Sequence, residues 1–215
     1  MVGRLEYKNN KLLIIPDNPK LGNKILLDQE KLNGAKKGDL IFTTGTLGDS
    51  SLGFKISSNK NWKYTQNAKN YLIKKHFVPI PRLKESQLLV GSNSNVTSMI
   101  DISDGLVQDL QHICKQSGKG AIIYEKNLPK SLEFSKVCKD NRLNPLSFIL
   151  EGGEDYELLF TLPSDGVKKL SRQFEKAKAL VTHIGEITES ASKVSLLRQN
   201  GKREILRQLS GFNHF

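Results

Sequence analysis

The chain has 215 residues, enough for one substantial domain or a small one with an appendage. Its 37% apolar and 26% charged residues suit a globular protein, and no apolar run approaches the length of a membrane span. The formal charge of +11 comes from lysines spread along the chain, with pairs such as Lys36-Lys37, Lys74-Lys75 and Lys168-Lys169; without a basic block or interleaved aromatics this argues against a nucleic-acid surface and for a solvated face that attracts phosphates weakly.

Cys114 and Cys138 lack a C-x-x-C spacing, which disfavours zinc and favours a reducing compartment. Residues 1–20 show no export signal, so a cytoplasmic location is expected. K-L-L-I-I-P at 11–16 predicts a strand, and 24–28 a second short one. Between them Pro16, Asn18, Pro19 and Gly22 read as loop. Residues 1–37 do not read as a domain that stands alone; the expected division is an N-terminal extension over 1–37 and the main domain over 38–215.

Residues 38–44 predict a strand, followed by T-G-T-L-G-D-S (44–50) and a helix carrying Leu52, Phe54 and Ile56. A strand, a Gly-bearing turn and a helix can aim backbone N–H groups at a phosphate. Asp49 or Ser50 as helix N-cap accounts for the residues equally well, and no Walker A lysine follows. Helices are predicted over 64–76 and 82–90, separated by Pro79 and Pro81. Residues 96–102 predict a strand running into D-I-S-D-G (101–105), with Leu106, Val107, Leu110 and Ile113 forming the stripe of the next helix. Asp101, Ser103 and Asp104 thus gather between a strand end and a helix start. That suits Mg²⁺, a hard cation that prefers oxygen ligands. It equally suits a helix cap made by Ser103 or Asp104 with Asp101 exposed.

Further on, a strand is expected at 121–124, helices at 132–138, 145–150 and 165–178, a strand at 180–187 with Gly185 a candidate bulge, and a terminal hairpin turning at Asn200-Gly201. Between them lies S-F-I-L-E-G-G-E-D-Y-E-L-L-F-T (147–161), which reads as a Gly-Gly turn with solvated acids and a strand leaving it, Tyr156, Leu158 and Phe160 alternating with their neighbours. The whole predicts an α+β fold, a mixed sheet with helices packed on it. The four histidines show no metal spacing among themselves.

M-I-D-I-S-D-G-L (99–106), G-G-E-D-Y-E-L-L-F (152–160) and the ending G-F-N-H-F resemble the C-terminal half of thiamine-monophosphate kinase, a family grouped with aminoimidazole ribonucleotide synthetase and selenophosphate synthetase. N-G-A-K-K-G-D-L-I-F (33–42), T-G-T-L-G-D-S and H-F-V-P-I-P-R (76–82) fall in the same order, so the resemblance runs from about Lys24 to the C-terminus. It implies a kinase domain over 38–215 that uses ATP and Mg²⁺ to phosphorylate thiamine phosphate. Asp101 and Asp104 would bind Mg²⁺, Ser103 would contact ATP, and Glu154 and Phe212 would contact thiamine phosphate. No residue is assigned as a catalytic nucleophile. Two departures stand out. The G-D-D, T-D-T and G-G-D-T-T motifs of the family's N-terminal domain do not occur in this sequence, and Lys31-Leu32-Asn33 stands where the family has an ATP-contacting Arg. The expectation is therefore half a site, belonging to a piece of a longer enzyme, to a split enzyme whose partner is a separate chain carrying the N-terminal domain, or to a degenerate product. The alternative is a non-catalytic module that binds a phosphorylated ligand or a partner chain.

Overall fold

The structure, a computed structural model, describes residues 4–8, 11–15, 25–27, 32–59, 61–91, 95–190 and 193–206. Strands β1 (Arg4–Lys8), β2 (Lys11–Ile15) and β3 (Ile25–Leu27) form a small antiparallel sheet in that order. The two strands expected here are present, and β1 adds a third that the sequence reading did not anticipate.

Among the described residues the main sheet has seven strands: β4 (Leu40–Thr44), β5 (Ser98–Asp101), β6 (Gly120–Tyr124), β7 (Leu158–Leu162), β8 (Val181–Thr188), β9 (Val194–Leu197) and β10 (Arg203–Leu206). Their order is β10-β9-β6-β8-β4-β7-β5. All neighbours are antiparallel except β6 and β9, so the sheet is mixed, as expected for an α+β fold. The register of β4 on β8 slips between Ile41 and Phe42, which pair with Gly185 and His183. The extra residue is Ile184, one position before the glycine expected to mark a bulge. The β9–β10 hairpin turns at Asn200-Gly201, with Gly201 at φ 82°.

Among the described residues, seven α-helices fill the connections: α1 (Asp49–Ser58), α2 (Gln66–Phe77), α3 (Leu83–Gly91), α4 (Leu106–Ser117), α5 (Leu132–Asp140), α6 (Pro145–Leu150) and α7 (Val167–Ala177). Several start where side chains satisfy their first amides. Thr65 accepts from the Ala68 N–H, Ser131 from that of Phe134, and Asn144 from that of Leu146.

Alternation along the strands distributes the helices over both faces. Ile41, Leu159, Ile184, Ala121, Ile123 and Leu196 pack into one core with residues of α1, α2, α4, α5 and α6. Phe42, Leu158, Phe160, Leu162 and Met99 pack into a second with Leu89 of α3 and with Leu170 and Phe174 of α7. Strand β7 is therefore buried along its whole length. Cys114 and Cys138 are buried free thiols, pushed up to about 12 and about 11, each chiefly by burial.

Close approach of α1 to α2 depends on Gly53. A Cβ built there would lie 2.1 Å from the Leu72 carbonyl oxygen. Gly53→Ala must push the two helices apart, and the expected loss is about 2 kcal/mol, read as a lower urea midpoint at unchanged slope.

Candidate functional site

The two acidic motifs meet at the end of the β5–β7 pair. Beyond the last strand pairing, Asp101 with Leu158, the backbone continues as a ladder. The Ile102 N–H donates to the Glu157 carbonyl (2.8 Å), the Tyr156 N–H to the Ile102 carbonyl (2.9 Å), and the Glu154 N–H to the Ser103 carbonyl (2.8 Å). D-I-S-D and G-G-E-D-Y-E therefore lie side by side. Gly153 permits the contact, since a Cβ there would sit 2.4 Å from the Ser103 carbonyl oxygen. Glu154 and Tyr156 adopt φ 64° and 50°, the left-handed region that non-glycine residues enter at a cost of about 1 kcal/mol or more. The expected strand consequently starts two residues late, at Leu158 rather than Tyr156.

Asp109, not singled out from the sequence, organises the first loop. Its Oδ2 accepts the N–H groups of Ser103, Asp104 and Gly105, each at 3.1 Å. The N-cap of α4 is Gly105, with no side-chain cap bond, so neither Ser103 nor Asp104 plays the capping role weighed above. Asp101 is half-buried rather than exposed. Burial, with the nearby Asp104, pushes its carboxyl above the usual range. Burial likewise pushes Asp109 up to about 7, with Asp104 and Asp101 acting in the same direction. Gln108 donates to Asp104 Oδ2 at 3.0 Å. Ligand atoms of Asp104, Asp109 and His112 fall within 4.8 Å of one another, a grouping that spacing among histidines alone could not reveal. Clustered carboxylate oxygens beside an imidazole form a donor set that fits a divalent cation.

The acids of the second loop divide between three tasks. Asp155 turns inward and accepts the Gly48 N–H (2.7 Å) and the Ser50 N–H (3.2 Å) at the start of α1. The N-cap of α1 is Gly48, not Asp49 or Ser50. Asp49 instead accepts the hydroxyls of Thr46 (2.6 Å), Ser131 (2.6 Å) and Tyr71 (3.2 Å). The Tyr71 hydroxyl is pushed up to about 12 by burial and by Asp49. Glu157 is fully buried; its Oε2 accepts the Thr44 hydroxyl at 2.7 Å, its Oε1 pairs with Arg82, and Lys75 stands 3.8 Å away. Arg82, assigned no role from the sequence, thus anchors the loop, and it also meets Glu85 at 3.5 Å. Glu154 meets His76 Nδ1 at 3.1 Å. Of the acids expected to be solvated, Glu151 is exposed, Glu154 and Asp155 are half-buried and Glu157 is buried. A cavity of about 180 Å³ lies against Tyr71, Lys74, Lys75, Arg82 and Asp155.

Asp101, Ser103, Asp104 and Glu154 are therefore brought together on adjoining backbone segments. Phe212, the remaining expected ligand residue, lies outside the described residues. No helix among the described residues is long and apolar enough to cross a membrane.

The chain belongs to the family of AIR synthase related proteins, whose C-terminal-domain model matches residues 36–197. It is 42% identical over 183 residues to the thiamine-monophosphate kinase of Buchnera aphidicola subsp. Schizaphis graminum, covering 84% of this chain and 54% of that protein. A solved structure of AaThiL complexed with AMPPCP and TMP superposes with a TM-score of 0.68 at 31% identity, over 86% of this chain and 53% of that one. Thiamine-monophosphate kinase from Stenotrophomonas maltophilia K279a gives a TM-score of 0.68 at 28% identity, over 80% and 52% of the two chains. The chain thus spans about half the length of the relatives it matches.

Two outcomes test this geometry. Arg82→Leu strands a buried carboxylate and is expected to lose about 3–5 kcal/mol in chemical denaturation, whereas Arg82→Leu with Glu157→Leu loses markedly less. Asp155 is pushed up to about 8, chiefly by burial, against the two amides that favour its charge. This lies above the unfolded value of about 3.9, so between those values the native state holds a proton that the unfolded chain has released, and stability falls as pH rises. The fall in Tm from pH 6 to pH 9 is expected to be shallower in Asp155→Asn.

Proposed function

We propose that this chain serves ATP-dependent phosphorylation of thiamine phosphate to thiamine diphosphate, in the cytoplasm, supplying the C-terminal half of the site from a domain over 38–215. The observation that supports this most directly is the backbone ladder that sets D-I-S-D against G-G-E-D-Y-E. It sets Asp101 and Asp104 on one loop beside Glu154 on the next, which supports reading the first as the metal side and the second as the substrate side.

In this reading Asp101 and Asp104 hold Mg²⁺, Ser103 contacts ATP, and Glu154 and Phe212 contact thiamine phosphate. The ion, when bound, supplies charge neutralisation for phosphoryl transfer. The residues described here do the rest by placement. Asp109 shapes the loop that carries Asp101, Ser103 and Asp104, and the Ser103 carbonyl holds the Glu154 backbone. No protein nucleophile is required, because donor and acceptor need only be held in line. The complementary half of the site would come from the family's N-terminal domain.

The test is calorimetric titration of the 215-residue chain with thiamine phosphate and, separately, with Mg²⁺, alongside an assay for the diphosphate. Glu154→Gln is expected to weaken thiamine phosphate binding at least about tenfold, and Asp101→Asn or Asp104→Asn to weaken Mg²⁺ binding comparably. Turnover by the chain alone would show that it completes its own site. Binding without turnover would agree with a half-site that needs its partner. Absence of both binding events would sink the assignment.

A further inference from the structure

Resting on that reading of Glu154 as the substrate-side carboxylate, we infer that His76 is a positioning residue which fixes the direction of the Glu154 side chain. His76 is the penultimate residue of α2, and its ring is mostly buried, with 14% of the side chain exposed. Nδ1 stands 3.1 Å from Glu154 Oε2 and 3.0 Å from Ser50 Oγ. A carboxylate only accepts, so the proton of the imidazole belongs on Nδ1, where it is shared between Glu154 and Ser50.

The ring is not free to follow Glu154. Phe54 of α1 lies 5.0 Å from it between centroids, tilted by 48°, and Phe77 lies 4.8 Å away, edge-on at 82°. Ser50 is itself held, since its N–H donates to Asp155. The donor aimed at Glu154 is therefore set by α1 and α2.

Glu154 needs such a guide. Its backbone is fixed in the left-handed region by the bond to Ser103, but its side chain is 31% exposed. Oε2 is taken by His76, and Oε1 has no hydrogen-bond partner among the described residues. An acceptor held at one oxygen and open at the other is suited to receive an N–H of a ligand, and the aminopyrimidine of thiamine phosphate offers one. Without the guide, the carboxylate would have to be ordered at the moment of binding, which lowers affinity.

Two substitutions separate this role from packing. His76→Asn keeps a side-chain N–H near the position of Nδ1 and loses the ring. His76→Phe keeps a ring between Phe54 and Phe77 and loses the N–H. Calorimetric titration of each full chain with thiamine phosphate is expected to show a loss of about tenfold or more in affinity for His76→Phe and of about threefold or less for His76→Asn, with thermal melts confirming that both fold. Unchanged affinity in His76→Phe, or equal losses in the two variants, would overturn the inference while leaving the Glu154 assignment standing. Failure of the unmodified chain to bind thiamine phosphate would instead overturn both.

Discussion

Burying the Glu157 carboxylate costs several kcal/mol of lost hydration, and groups from three parts of the chain offset it: Thr44 at the end of β4, Lys75 in α2 and Arg82 just before α3. None is near Glu157 in sequence. Each meets it only when β4 and β7 pair and α2 folds back over the loop. Thr44 does double duty, since its hydroxyl oxygen also accepts the Leu158 N–H at 2.9 Å. The first residue of β7 is therefore fixed by the same group that satisfies the acid before it. Where the strand begins decides where the preceding loop must end, and that loop carries Glu154.

This explains how the loop sustains two non-glycine residues in the left-handed region. Strain of a kcal/mol or more at each of Glu154 and Tyr156 persists only if neighbours over-determine the backbone. Ladder bonds to Ile102 and Ser103 hold it from one side, and the Glu157–Arg82 and Asp155–Gly48 contacts hold it from the other. Arg82 couples the loop onward to Glu85 in the first turn of α3. Its charge is maintained against burial because Glu157 and Glu85 both favour it.

Most of the fold was legible because its elements carry local signals. Apolar stripes and the Asn200-Gly201 turn place helices and hairpin within a few residues of where they occur, and the Thr65, Ser131 and Asn144 caps, not singled out from the sequence, fix three of the helix starts. The candidate site was legible only through the family resemblance: the residues alone left D-x-S-D open between a helix cap and a cation site and made G-G-E-D a solvated turn, yet the two motifs do adjoin. The supporting contacts were not legible. Arg82 with Glu157 spans 75 residues, Asp155 with Gly48 spans 107, and His76 with Ser50 spans 26. Such pairs exist only after the sheet forms, and no periodicity encodes them. The acids of G-G-E-D-Y-E were read as solvated because turns usually are; Asp155 and Glu157 depart from that because each has a partner inside. Asp109 escaped notice for a different reason. An acid in the first turn of a helix is ordinary, and only its reach back to three preceding amides sets it apart.

Those amides bear on how the site can treat a phosphate. Two strand-to-helix turns face the motif region, and either could in principle offer backbone N–H groups to an anion. At the first, the Gly48 and Ser50 amides are already given to Asp155. At the second, the Ser103, Asp104 and Gly105 amides are given to Asp109. The protein has thus filled both anion positions with its own carboxylates. An approaching phosphate therefore finds the amides of both turns already used. On the proposed reading, a cation held by Asp101 and Asp104 would bridge a phosphate to this region. The placement of Asp101 and Asp104 beside Ser103, with Asp101 held above its usual pKa by burial and by its neighbour, is the arrangement such a cation would relieve. On the proposed reading, the used amides leave phosphate recognition to a bound cation, and T-G-T-L-G-D-S, which has the look of a Gly-rich phosphate loop, serves instead to join α1 to Asp155.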